Sequence, residues 1–262
     1  MTSALDGAFS SSGHGPQSRL GVVLLHGFTG SPRSMRGWAE SLADAGFAVR
    51  LPLLPGHGTT WQDLGTSRWQ CWYGAAEQAF AELARERSQV FVAGLSMGGA
   101  LALRLAAHRP VSGVLLVNPG LTIADPRAPF TGLMKYVLKS VPAIGNDINM
   151  PGVDEGAYDR TPVAAAHQLG QLFKTVVADL PRVTAPTLVF RSAVDHTVPE
   201  SSMRVLRRRI GAARLEVVPL ADSYHVATMD HDAELIYRRS AEFIRAIAAT
   251  PPTHTGATRA GA

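Results

Sequence analysis

The 262-residue chain has a single cysteine, Cys71, which excludes an internal disulfide and fits a reducing compartment. With nothing to pair with, Cys71 is expected to be a small buried hydrophobe. Lysine is nearly as scarce, at 135, 139 and 174 only, so the excess of 25 basic over 21 acidic residues is small and carried by arginine. The basic run worth weighing, Arg207-Arg208-Arg209, lies in a helical stretch where Met203, Leu206 and Ile210 supply an inward face. A run this short reads as a solvated helix face, and no nucleic-acid partner is expected. No apolar run approaches the ~20 residues a membrane span needs, and residues 1–6 carry no basic leader, so a cytoplasmic protein without a stable membrane span is expected.

What is present is enough apolar material, 46% of the residues, for one large core. Residues 1–18 and 250–262 are rich in Ser, Gly, Pro, Thr and Ala without apolar period and are expected to be flexible tails. Between them, short β-branched or Leu-rich runs alternate with helical patterns, as in a mostly parallel α/β sheet flanked by helices. Strands are predicted over 20–26, 47–51, 89–95, 111–118, 187–191 and 215–220. Helices are predicted from Ser31-Pro32, over 72–87, 98–108 and 201–210, and from 230 to 248.

The rhythm breaks between 119 and 184, where six prolines after Pro119 punctuate short helical pieces, at 131–140 and 162–177, and no strand-like run is evident. This segment is expected to be a small helical cap inserted after a core strand, dividing the core into 19–118 and 185–249. Its Leu133, Met134, Val137, Leu138 and Val141 either line an apolar tunnel or pack the cap. The cap offers a place for transient contact with lipid.

Gly94-Leu95-Ser96-Met97-Gly98 follows a predicted strand and opens a helix, which makes Ser96 a candidate nucleophile on a sharp strand-to-helix turn. A serine hydroxyl needs a base within hydrogen-bond reach, itself oriented by a third group. Asp195 lies just beyond the strand ending near Arg191, and His225 just beyond the strand ending near Leu220. In a parallel sheet those loops open on the same rim as Ser96. Asp222 is the competing acid, while His26 and the His57 of the Pro55-Gly56-His57-Gly58 loop are expected to brace their loops. Charge developing on an attacked carbonyl oxygen calls for backbone N–H donors, each worth about 3–4 kcal/mol. Met97 N–H and Phe28 N–H, in the His26-Gly27-Phe28-Thr29-Gly30 loop, are the candidates. This chemistry needs no metal and no cofactor.

These motifs, with Asp195-His196-Thr197-Val198-Pro199 and Ser223-Tyr224-His225-Val226-Ala227-Thr228, resemble those of the bacterial monoacylglycerol lipases and small carboxylesterases of the α/β-hydrolase superfamily. The resemblance spans most of residues 20–248. It implies Ser96, Asp195 and His225 as a catalytic triad, Phe28 and Met97 as an oxyanion hole, and hydrolysis of carboxylic esters of short to medium acyl chain, monoacylglycerols included. Ile144 and Glu155 match cap residues that contact the glycerol head in that family, and Gly156 stands where a bulkier residue is expected. The alternatives are a serine-dependent C–C or thioester hydrolase and a non-catalytic ligand-binding protein of the same fold. Haloalkane dehalogenases and epoxide hydrolases are disfavoured, because they place an aspartate where Ser96 stands.

Overall fold

A computed structural model describes residues 4–143 and 145–249. Among them, seven strands form one sheet in the order β1-β3-β2-β4-β5-β8-β9. These strands are Phe9–Ser11 (β1), Leu20–Leu25 (β2), Ala48–Leu51 (β3), Gln89–Leu95 (β4), Gly113–Val117 (β5), Thr187–Ser192 (β8) and Leu215–Leu220 (β9). All neighbours run parallel except β1, which lies antiparallel on β3.

Because successive strand side chains point to opposite faces, one run of apolar residues serves two cores. Val23 and Leu25 of β2 and Val90 and Val92 of β4 enter a core shared with Trp72, Phe80 and Leu83 of α3 (Trp69–Glu86) and Leu101 and Leu105 of α4 (Met97–His108). Leu20, Val22 and Leu24 of β2 and Phe91, Ala93 and Leu95 of β4 enter the opposite core. There Met35, Trp38 and Leu42 of α1 (Arg33–Asp44) and Ile236, Phe243 and Ile244 of α8 (Ala233–Ala249) meet them. A sheet buried on both faces explains why its strands read as continuous apolar runs.

Several expectations are corrected. Residues 4–18 are not loose: β1 pairs with β3, and Asp6 holds Arg33 at 2.8 Å and accepts from Ser31 Oγ at 3.1 Å. Three paired residues are too few to leave an apolar period in the sequence. Residues 250–262 lie outside the described residues. The short α2 (Trp61–Thr66), capped by Thr60 accepting from Asp63 N–H, was not foreseen. Cys71 is exposed on α3, since Trp69 and Trp72 claim the inward face.

In the 119–184 segment the expected 131–140 helix stops after one turn, as α5 (Thr131–Met134). Ser140–Pro142 (β6) and Arg160–Pro162 (β7) then pair as a small antiparallel ribbon, and α6 (Val163–Asp179) packs against α4. Leu133, Val137 and Leu138 consequently neither pack nor line an interior: they are exposed, at 73%, 88% and 39%. The basic run at 207–209 faces solvent on α7 (Glu200–Arg209), with Met203 and Leu206 turned inward. Among the described residues no helix is long and apolar enough to cross a membrane.

Candidate active site

Strand register brings the site together. Leu95 lies beside Val117, Val117 beside Phe190, and Ser192 beside Leu220, so the loops leaving β4, β5, β8 and β9 start along one rim. Ser96 leaves β4 at φ 55° and ψ −116°, a conformation that costs on the order of 1–3 kcal/mol. It is held there because its N–H donates to Val117 O at 3.0 Å and its carbonyl accepts from Gly99 N–H at 3.0 Å and Gly120 N–H at 3.1 Å. The turn is so tight that a Cβ on Gly94 would stand 2.3 Å from the Gly98 carbonyl carbon.

His225 Nδ1 meets both carboxylate oxygens of Asp195 at 3.1 Å. A carboxylate only accepts, so Nδ1 carries a proton and donates it to Asp195, which leaves Nε2 as the ring nitrogen not held by the acid. Asp195 is oriented in turn by the N–H groups of Thr197 (3.0 Å) and Val198 (2.8 Å) and by Arg191 Nη1 (2.6 Å). Burial pushes the Asp195 pKa up, but the His225 hydrogen bond and charge, Val198 N–H and Arg191 outweigh it and hold the group below its ordinary value. Asp222, the competing acid, is exposed and engages Asp232 and Asn149 through its backbone. Asn118 links the two halves of the site. It follows the residue that receives Ser96 N–H, and its Nδ2 donates to His225 O at 2.9 Å and Ser192 Oγ at 2.9 Å.

Opposite Ser96 runs the loop after β2. A Cβ on Gly27 would lie 3.7 Å from Ser96 Cβ, so the serine stands against this loop. Phe28 packs edge-on against Trp72 and His57, and Thr29 takes φ 63° while its carbonyl accepts from Tyr158 N–H at 3.1 Å. Met97 begins α4, where the first N–H groups have no intrahelical acceptor. His26 braces the loop: Nδ1 donates to Gly27 O at 2.9 Å and Nε2 accepts from Leu54 N–H at 3.1 Å.

Burial pushes the His26 pKa down to about 3, with the nearby His57 adding to the effect, and burial pushes His57 down to about 4. Both rings are therefore neutral in the folded state. Since the folded values lie below the ordinary 6.5, their contribution to stability is complete above about pH 6.5 and is lost as pH falls towards 4 and then 3. The thermal midpoint is expected to drop between about pH 7 and pH 5, and His57→Asn to flatten that drop. Differential scanning fluorimetry of the two proteins across this range checks it; parallel profiles would refute the assignment.

Glu155 is only 8% exposed and reaches the site from the 119–184 segment. Its carboxylate accepts from Asn146 N–H at 2.6 Å and lies close to Gly30, where a Cβ would be 3.6 Å from Oε2. Burial raises its pKa, opposed by Asn146 N–H and by the charge of His225, which places it within electrostatic reach of the imidazole. Ile144 lies outside the described residues. Gly156 has φ 68°, and a Cβ there would approach Arg33 Nε to 3.3 Å, so the space of a bulkier residue is taken by the Arg33–Asp6 pair. Among the described residues, no group of three or more His, Cys, Asp and Glu side chains is arranged to hold a metal ion.

A strained serine after a parallel strand, facing a rim where an acid and an imidazole are hydrogen-bonded, is matched by comparison with known proteins. The family model described as "Alpha/beta hydrolase family" matches residues 22–238. The chain belongs to this family. It is 41% identical over 228 residues to the thermostable monoacylglycerol lipase of Bacillus sp. (strain H-257), covering 86% of this chain and 90% of that protein. It is 23% identical to a carboxylesterase of Bacillus subtilis, covering 85% and 91%. One solved structure, from a study of two metagenome-derived lipolytic enzymes, superposes with a TM-score of 0.89 at 38% identity, covering 94% of this chain and all of that one. The monoacylglycerol lipase of Paleococcus ferrophilus shares the hydrolase fold, with a TM-score of 0.73 at 20% identity over 87% and 94% of the chains.

Against this family background, four supporting residues were not foreseen: Asn118, Asp147, Arg191 and Asp230. Arg191 carries a local signal, because it lies four residues before Asp195. Asn118 and Asp147 act across long sequence separations and leave no local pattern, while Asp230 joins Tyr224, six residues before it, to the distant Asn149 and Met150.

Proposed function

We propose that the protein hydrolyses carboxylic esters of short to medium acyl chain, monoacylglycerols among them, through an acyl-Ser96 intermediate. The observation that carries this reading is the hydrogen bond between His225 Nδ1 and Asp195, formed by loops that leave the same rim of the sheet as Ser96. His225 takes the Ser96 proton as the hydroxyl oxygen attacks the ester carbonyl, and Asp195 stabilises the resulting imidazolium. Phe28 and Met97 N–H groups receive the negative charge on the carbonyl oxygen. The alcohol leaves with the proton from His225, and water attacks the acyl-enzyme by the same steps in reverse. The 41% identity with a monoacylglycerol lipase, over 86% of the chain, supports the substrate class.

The 119–184 segment acts as the cap in this reading, with Glu155 facing the alcohol portion of the substrate. Its outer surface exposes Ile123, Phe130, Leu133, Tyr136, Val137 and Leu138, beside Lys135 and Lys139, two of the three lysines in the chain. A patch of this kind suits transient contact with a lipid aggregate. With a single cysteine and no internal disulfide, the protein is assigned to the cytoplasm.

The test is a rate comparison over monoacylglycerols, triacylglycerols and simple esters of matched acyl chain. Monoacylglycerols are expected to be cleaved well and triacylglycerols poorly; no ester cleavage at all would overturn the reading. In the same assay, Val137→Asp is expected to slow emulsified substrate several-fold and to leave a soluble p-nitrophenyl ester unaffected.

A further inference from the structure

Backbone around His225 has no regular secondary structure, so its N–H groups need acceptors from elsewhere. Three successive donors find them in carboxylates and a carbonyl. Tyr224 N–H donates to Asp230 Oδ2 at 2.9 Å, His225 N–H to Asp147 Oδ2 at 3.3 Å, and Val226 N–H to the Asp147 carbonyl at 3.0 Å. On the carbonyl side, Tyr224 O accepts from Ser192 Oγ at 2.8 Å and His225 O from Asn118 Nδ2 at 2.9 Å. Two of the five contacts come from Asp147 of the 119–184 segment, and the other three from the core itself.

The Asp147 side chain also grips the other loop. Oδ2 accepts from His196 N–H at 3.0 Å, and Oδ1 lies 2.8 Å from His196 Nδ1, next to Asp195 in sequence. The carboxylate is only 11% exposed, which makes its hydrogen bonds stronger than they would be in water. Asp147 therefore touches the residue that bears the imidazole and the residue after the acid. The surrounding segment is pinned in place as well: Asp230, 2% exposed, accepts from Asn149 N–H at 2.7 Å and Met150 N–H at 3.0 Å while holding Tyr224 N–H, and Asn149 Nδ2 donates to Asp222 O at 2.8 Å.

We propose that Asp147 is a positioning residue that spans the acid and base loops, so that His225 and Asp195 are aligned for proton transfer only while residues 146–150 are seated against them. The proposal rests on His225 being the base. Asp147 touches no reacting atom; it acts by fixing the backbone from which the imidazole projects, where a displacement of about 1 Å costs on the order of 100-fold in rate.

The test is a set of variants assayed on a soluble p-nitrophenyl ester. Asp147→Ala is expected to lower kcat about 10- to 100-fold with KM unchanged within about twofold. Asp147→Asn keeps an oxygen acceptor and the volume, and is expected to lose less than about tenfold; it also serves if the alanine variant does not fold. In a His225→Ala background, either Asp147 substitution is expected to cost nothing further, because the group it positions is gone. Wild-type kcat in both folded Asp147 variants would overturn the proposal. So would a full additional loss in the His225→Ala background, which would place the action of Asp147 elsewhere. Wild-type kcat in His225→Ala alone overturns the assignment of the base instead, and is read without reference to Asp147.

Discussion

Ser96→Ala is expected to lower kcat for p-nitrophenyl esters by about 10⁶-fold, to the level left by substrate binding and the N–H donors alone. The size of the effect follows from the covalent route. Without the hydroxyl no acyl-enzyme forms, and His225 has no proton to take. The fold should survive, because Ser96 is held through its backbone, whose N–H and carbonyl bonds to Val117, Gly99 and Gly120 do not depend on the side chain. The thermal midpoint is therefore expected to stay level, since alanine carries the same Cβ and bears the same strain at φ 55°. Steady-state kinetics and labelling by a fluorophosphonate probe check the prediction together. Persistent turnover in the variant would overturn the assignment of Ser96 as the nucleophile, and a wild-type protein that resists the probe would favour the non-catalytic alternative.

Gly98→Ala is expected to be the most damaging single methyl group in the molecule. Its Cβ would lie 1.9 Å from Leu25 O, 2.5 Å from Leu25 C and 2.7 Å from His26 O. All three are backbone atoms of β2 and the loop after it, so no side-chain rotation relieves the clash. Overpacking against movable side chains costs about 1–3 kcal/mol, and a collision with a central strand is expected to exceed about 3 kcal/mol. Either α4 is pushed away from the sheet or the protein fails to accumulate. Chemical denaturation of the purified variant, or its soluble yield, gives the answer; a midpoint within error of wild type would contradict the tight approach of α4 to β2.

The same contact explains why this part of the molecule was legible in the sequence. A serine between glycines after an apolar run states the local geometry in five residues, and the loops bearing Asp195 and His225 follow recognisable strands. Strands covered on both faces announce themselves as continuous apolar runs. Legibility ends where position depends on distant partners. The pairing of β1 with β3 involves three residues and no apolar repeat. The β6–β7 ribbon lies within a proline-rich stretch that resembles broken helix, and it forms because Ser140–Pro142 finds a partner 20 residues away. Asp147 and Asp230 look like ordinary surface acids in the sequence. Only the fold shows that each collects backbone N–H groups from more than one loop.

The two borders of the main sheet differ from its interior in a way that bears on behaviour at high concentration. On one side the three residues of β1 end the row before it offers a long ladder of free amides. On the other, β9 carries Glu216, bound to Arg239, and Pro219, which has no N–H to give. Neither border presents the flat, extended template that recruits strands from neighbouring molecules. A protein that exposes Leu133, Tyr136 and Val137 to solvent can thus be concentrated with little risk of polymerising through its strands.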